Sequence, residues 1–294
     1  MNQLLRAAVA AGVMTLFGET GFAQHLDVKL STSNGPVAGS KLVLDVYGDL
    51  NWYVNQAGGL PVDHDTGLLI FPANFNDFDG GPYSTDNPGF QTFAGQFLPH
   101  EELHFRALEH LWYLPVGGTQ WQSAPSGGGI RLYGSIPDDV AFDYSYYGVR
   151  EAEYLYYAGG TLFSGDGITG PVTAPITAAS GLGGMHYHLD WDLEGAAQAA
   201  KGTYLLKMSL FSSAQVGGSD KYMPSDPFYI IFRNDVTDGQ FAIALKTMTV
   251  PAPVPEPSTW ALFAGGIGLA TLFGRRRLRT SPSDRLPDGV QPPA

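Results

Sequence analysis

No cysteine occurs in the 294 residues. That excludes a disulfide framework and thiolate metal ligands, so any metal site must use imidazole, carboxylate or carbonyl groups. Basic side chains are few: 16 Lys and Arg against 28 Asp and Glu, a formal net charge of −12. A surface of that sign disfavours nucleic acid and anionic lipid as partners. Histidine is also sparse, with seven in the whole chain. Their spacing therefore carries more information than a count would.

Two terminal stretches read as addresses. In MNQLLRAAVAAGVMTLFGETGFA, Arg6 precedes an apolar run over residues 7–17, and Gly21 and Ala23 are the small residues that a signal peptidase reads, so cleavage is expected after Ala23. The run is too short to span a bilayer. At the other end, a Pro-rich linker over 250–258 leads to an apolar stretch over 260–273 and then to Arg275, Arg276, Arg277 and Arg279. The prolines keep the linker extended, and the arginines fix the C-terminus inside. A single transmembrane helix with its basic stop is expected at 259–279, helped by Ser258, Thr259 and Gly274 because the apolar core is short for a bilayer. Residues 280–294 read as a disordered tail.

This order, with Pro255, Glu256 and Pro257 followed by Ser258, resembles the PEP-CTERM sorting tail. The resemblance implies recognition by an exosortase-type enzyme in a Gram-negative bacterium that makes extracellular polymer, and adds that polymer to the expected partners. Such tails normally end soon after the arginines, whereas this chain continues to Ala294.

The exported part, residues 24–250, holds 24 acidic and 10 basic side chains. It is rich in short alternating segments between Gly, Pro, Asn and Asp clusters: KLVLDVYGD, GIRLYGS, VAFDYSYYGV, EAEYLYY, MHYHLDWDL, GTYLLKMSL, DPFYIIFRN and QFAIALKTM. These predict strands. Without βαβ alternation they point to an all-β fold over 24–249, an antiparallel two-sheet sandwich of jelly-roll type. Residues 55–99 read as a long loop, and GAAQAAK at 195–201 as one or two helical turns.

HEELHFRALEH, residues 100–110, spells H-E-x-x-H with a further His. As a helix it would bring His100 and His104 to one face with Glu101 as base. It is similar to the metzincin pattern, which implies His110 as third ligand, but Ala107 stands where that pattern has Gly. Without the glycine's break, a continued helix leaves His110 about 120° round from His104. As a strand, Leu103, Phe105, Ala107, Leu111 and Tyr113 share one face, and Glu109 is the exception on it.

GGMHYHLDWDLEG alternates strictly, with His186, His188, Asp190 and Asp192 on one face and Met185, Tyr187, Leu189 and Trp191 toward the core. Imidazoles two residues apart on a strand can reach one ion. A further ligand must come from another strand, and HLDVKL offers His25 and Asp27 on a shared face; His64 in VDHD is another candidate. These segments, with DNPGF (86–90), LWY (111–113), GTYL (202–205) and SDPFY (225–229), resemble surface-anchored sandwich domains associated with zinc homeostasis, among them PEP-CTERM proteins repressed by the zinc-uptake regulator. That resemblance implies a strand across 103–114.

GDGITG at 165–170 fits G-x-G-x-x-G, but Pro171 follows and no helix opens there. NFNDFDGG lacks the ligand pattern of a calcium loop, and no serine-nucleophile elbow occurs. The expected function is therefore non-enzymatic capture of a divalent metal, zinc, at the cell surface, with His186, His188, His25, Asp27 and Asp190 as metal residues. A structural or adhesive matrix module without metal is the first alternative. A zinc peptidase built on His100, Glu101 and His104 is the second.

Overall fold

The computed structural model describes residues 26–47, 60–75, 82–135 and 160–250. The signal segment, His25, the strands expected at 140–149 and 151–157, the transmembrane helix and the tail lie outside the described residues. Chain contacts divide the protein into Met1–Val250 and Pro251–Ala294, and every described residue belongs to the first unit.

In chain order the described strands are β1 (Asp27–Thr32), β2 (Leu42–Tyr47), β3 (Ile70–Asn74), β4 (Ser84–Thr85), β5 (Gly89–Thr92), β6 (Glu102–Ala107), β7 (Trp112–Pro115), β8 (Gln122–Ser123), β9 (Gly128–Leu132), β10 (Thr161–Ser164), β11 (Gly167–Thr169), β12 (Thr173–Ala178), β13 (Met185–Tyr187), β14 (Trp191–Gly195), β15 (Gly202–Ser212), β16 (Gln215–Val216), β17 (Ser219–Asp220) and β18 (Phe228–Asn234). Helix α1 (Ala196–Ala199) precedes β15 and α2 (Asp238–Thr249) follows β18. A four-stranded sheet runs β13-β5-β1-β2, a five-stranded sheet β11-β10-β9-β14-β4, and the largest β12-β6-β15-β18-β3 with β7 and β8 branching off; β16 and β17 pair by themselves. Buried side chains of all three main sheets, such as Val28, Ile130, Phe163, Trp191, Phe105, Leu206 and Phe232, meet in one core. The architecture is mostly β and consistent with a sandwich.

Three expectations are corrected. The sheets are not purely antiparallel, since β1 pairs β5 and β18 pairs β3 in parallel. The stretch 55–99 is not one loop: it supplies β3, β4 and β5. β3 reads IFPAN, buried at its first four positions, so it lacks the alternation that marks a half-exposed strand. Its Pro72 is tolerated because β3 lies at a sheet edge. QFAIALKTM is helix, not strand. Thr237 caps α2, with its hydroxyl accepting from Gln240 N at 3.3 Å and its own N–H donating to Gln240 Oε1 at 2.9 Å, a capping box. Phe241, Ala244, Leu245 and Met248, at helical spacing, pack on Ile70, Leu114, Leu205, Tyr229 and Ile231 of the largest sheet. β15 and β18 are thereby covered on both faces, which explains their nearly continuous apolar sequences.

The 103–114 stretch is extended, as two strands. β6 pairs with residues 208–212 of β15 and β7 with residues 202–205 of the same strand. At the break, Lys207 Nζ donates to Glu109 Oε1 at 2.7 Å, which accounts for the acid that interrupts the apolar face. GDGITG closes the tight β10–β11 hairpin, with Ser164 opposite Gly167.

Candidate metal site

β1, β5 and β13 lie side by side, with Asp27 opposite Gly89 and Gln91 opposite His186. Because side chains alternate along a strand, these four positions share one face, while Val28, Phe90 and Met185 turn into the core. His188 stands one residue beyond the end of β13. The single strand expected for MHYHLDWDL is therefore corrected: it stops at Tyr187, and after three non-strand residues β14 continues in a different sheet. Asp190 lies in that break and is not part of the cluster of Asp27, His186 and His188; its main-chain carbonyl accepts from Tyr133 N at 3.1 Å. Asp192 accepts a hydrogen bond from Ser84 Oγ, and burial pushes its carboxyl above the ordinary range, partly opposed by that bond.

Among the described residues, Asp27, His186 and His188 are the one group of three such side chains whose ligand atoms lie within 4.8 Å of one another. The Nε2 atoms of His186 and His188 are 3.0 Å apart. Asp27 Oδ2 lies 3.2 Å from His186 Nε2, and Oδ1 lies 3.7 Å from His188 Nε2. Ligands about 2.0 to 2.1 Å from a tetrahedral zinc stand about 3.3 Å from each other, so the separations bracket what one ion requires.

Three local features fit these residues to a cation. Asp27 is 2 % exposed, and its Oδ1 is buried with no hydrogen-bond partner, an arrangement that is costly for a carboxylate unless a positive charge faces it. His188 Nδ1 lies 2.9 Å from the carbonyl oxygen of Asp86. A carbonyl only accepts, so Nδ1 carries the hydrogen, and in the neutral ring Nε2 presents its lone pair to the cluster. Finally, a Cβ on Gly89 would lie 2.6 Å from both Asp27 Oδ1 and His188 Cε1; only glycine leaves room there for the carboxylate and the ring. The His186 side chain is half exposed, so the cluster opens to solvent on that side.

Asp27, His186 and His188 are marked in the sequence by strand alternation, whereas Asp86 and Gly89 are not. Both lie in the DNPGF stretch, about a hundred residues from His188, and nothing local marks them.

The other described histidines, His64, His100, His104 and His110, stand apart from this cluster. His64 Nδ1 lies 3.2 Å from Asp65 Oδ1 on an exposed turn. His104 Nε2 lies 3.1 Å from Glu102 Oε2, and its ring stacks on Phe211. His110 packs against the Trp112 ring. His100 precedes β6 with a φ of 66°, and residues 102–107 form a strand, so the helical face that would join His100 to His104 does not exist. Glu101 is occupied as well. Lys221 Nζ donates to its Oε1 at 2.5 Å, while Tyr222 Oη and Leu98 N donate to Oε2 at 2.6 Å and 2.8 Å. Burial tends to raise the Glu101 pKa, but these donors and the Lys221 charge outweigh it and hold the carboxyl below the usual range.

Outside the described residues, the chain's clearest address is in its sequence. Residues 253–277 match the PEP-CTERM protein-sorting motif. The matched stretch includes Pro255, Glu256 and Pro257 and the apolar run after them. The PEP-CTERM motif implies an exported, surface-anchored protein of a Gram-negative bacterium, with an exosortase-type enzyme as processing partner. No curated protein matches the chain. Among the described residues, no helix is long and apolar enough to cross a membrane.

Proposed function

We propose that this PEP-CTERM protein binds a divalent transition metal, zinc, at Asp27, His186 and His188, as a non-catalytic capture or homeostasis function at the cell surface. The observation that carries the reading is the convergence of two imidazole Nε2 atoms on a buried carboxylate whose Oδ1 has no hydrogen-bond partner. The donor set suits zinc, for which imidazole and carboxylate are ordinary ligands. A site without thiolates also suits an exported protein, because it is not lost to cysteine oxidation. His25, two residues before Asp27 and outside the described residues, is a rival candidate for the one remaining position.

The test is thermal unfolding with zinc and with chelator. Zinc at about 100 times its Kd stabilises a folded-state-only site by roughly 2.7 kcal/mol, a shift of about 5 to 10 °C for a domain of this size. The His186→Ala, His188→Ala double variant should unfold at the chelator temperature in both conditions. Identical wild-type curves with zinc and chelator reject the reading and favour a metal-free matrix module.

A further inference from the structure

Five buried side-chain atoms lack a hydrogen-bond partner among the described residues: Asp27 Oδ1, Asn87 Oδ1, Gln91 Oε1, Thr92 Oγ1 and Trp191 Nε1. Strand parity separates them. Thr92 falls on the opposite face of β5 from Gly89 and Gln91, Trp191 belongs to the hydrophobic core, and Asn87 lies before β5, in the turn from β4, where its N–H donates to Thr85 Oγ1 at 3.1 Å. Asp27 and Gln91 fall on the same face of the four-stranded sheet, one rung apart, because Asp27 is opposite Gly89 and Gln91 is opposite His186. We infer that Gln91 is the fourth metal ligand, its amide oxygen joining Asp27, His186 and His188 from the buried side of the site.

This inference rests on the metal reading and names a donor that neither the histidine pattern nor the three-residue cluster supplies. Side chains directly opposite on paired strands have Cβ atoms about 4.5 to 5.5 Å apart, so the Gln91 amide starts beside the imidazole that closes the cluster. The unpartnered atom is the oxygen, the end of the amide that a cation attracts; a rotation by 180° would present the NH2 group instead. Lys29, opposite Gln91 on its other side, does not compete for that oxygen. Its ammonium lies 3.5 Å from Asp45 Oδ2 and over the Phe93 ring. The exposed edge of His186 leaves the site open to solvent on that side, the route by which an ion would enter and leave.

Titration of the purified full chain with cobalt(II), followed by its visible absorption and by competition with zinc, tests the inference. Gln91→Leu should weaken binding by at least roughly 10-fold, the lower end of the loss seen when even an outer partner of a ligand is removed, and alter the cobalt spectrum, while leaving the unfolding temperature in chelator unchanged. Gln91→Glu, which keeps an oxygen donor and adds charge, should bind at least as tightly as wild type. A Leu variant with the wild-type affinity and spectrum overturns the role of Gln91 and leaves the three-ligand site standing. Should the Leu variant fail to fold, loss of binding in Gln91→Glu overturns it instead. Absence of cobalt and zinc binding in wild type overturns the metal reading itself.

Discussion

Replacing Glu101 with Gln separates two accounts of the same five letters. In a metallopeptidase, loss of the general base would abolish turnover and leave stability almost untouched. Here the Glu101 carboxylate neutralises Lys221, and the two side chains are only 12 % and 5 % exposed. It also accepts from Tyr222, whose ring packs edge-on against Phe97 in the core. Removing one partner of a buried ion pair costs about 3 to 5 kcal/mol; because glutamine retains one acceptor oxygen, about 2 to 4 kcal/mol is expected. For a domain of this size that lowers Tm by roughly 5 to 15 °C. Urea unfolding at neutral pH measures it directly. The pH dependence has a definite sign: a carboxyl held below its unfolded pKa contributes its full stabilisation above the unfolded value and loses it as pH falls through the folded value. The gap between wild type and variant should therefore narrow in acid. Adding Lys221→Met should recover part of the loss, since no unpaired charge then remains. Unchanged stability in Glu101→Gln, or loss of a proteolytic activity with stability intact, would refute this account.

Other predictions follow from the same geometry. Gly89→Ala should abolish zinc stabilisation, because its Cβ meets Asp27 and His188 at 2.6 Å; a calorimetric zinc titration identical to wild type would contradict the cradle. Thr237→Ala should cost about 1 kcal/mol through loss of the α2 cap, seen as faster amide exchange across residues 238–249 than across β18. Phe232→Ala, fully buried between Phe75 and Trp191, should cost about 3 to 5 kcal/mol in chemical denaturation. A chain ended before Trp260 should be recovered as a soluble folded domain, and aggregation or retention on cells would show that the C-terminal segment does more than anchor.

What the sequence revealed follows from where each element sits. Half-exposed strands announce themselves by alternation, so Leu103, Phe105 and Ala107 on one side of β6 were legible, as was the HYH pair. β3 was hidden because IFPAN is buried on both faces and carries a proline. The α2 segment reads as a strand when its apolar residues are counted without the Thr237–Gln240 box that starts the helix. Long-range pairing was the larger loss. No local pattern shows that Gly89 lies under His188, that the Asp86 carbonyl holds Nδ1, or that β1 and β5 run parallel. The acid of H-E-x-x-H likewise finds its partner, Lys221, 120 residues away.

A zinc-edge anomalous difference map from a crystal grown with zinc tests the metal site directly. One strong peak is expected per chain, about 2.0 to 2.1 Å from Nε2 of both His186 and His188 and bonded to the Asp27 carboxylate. No peak at that position, or a peak held by His104 or His110 instead, would contradict it.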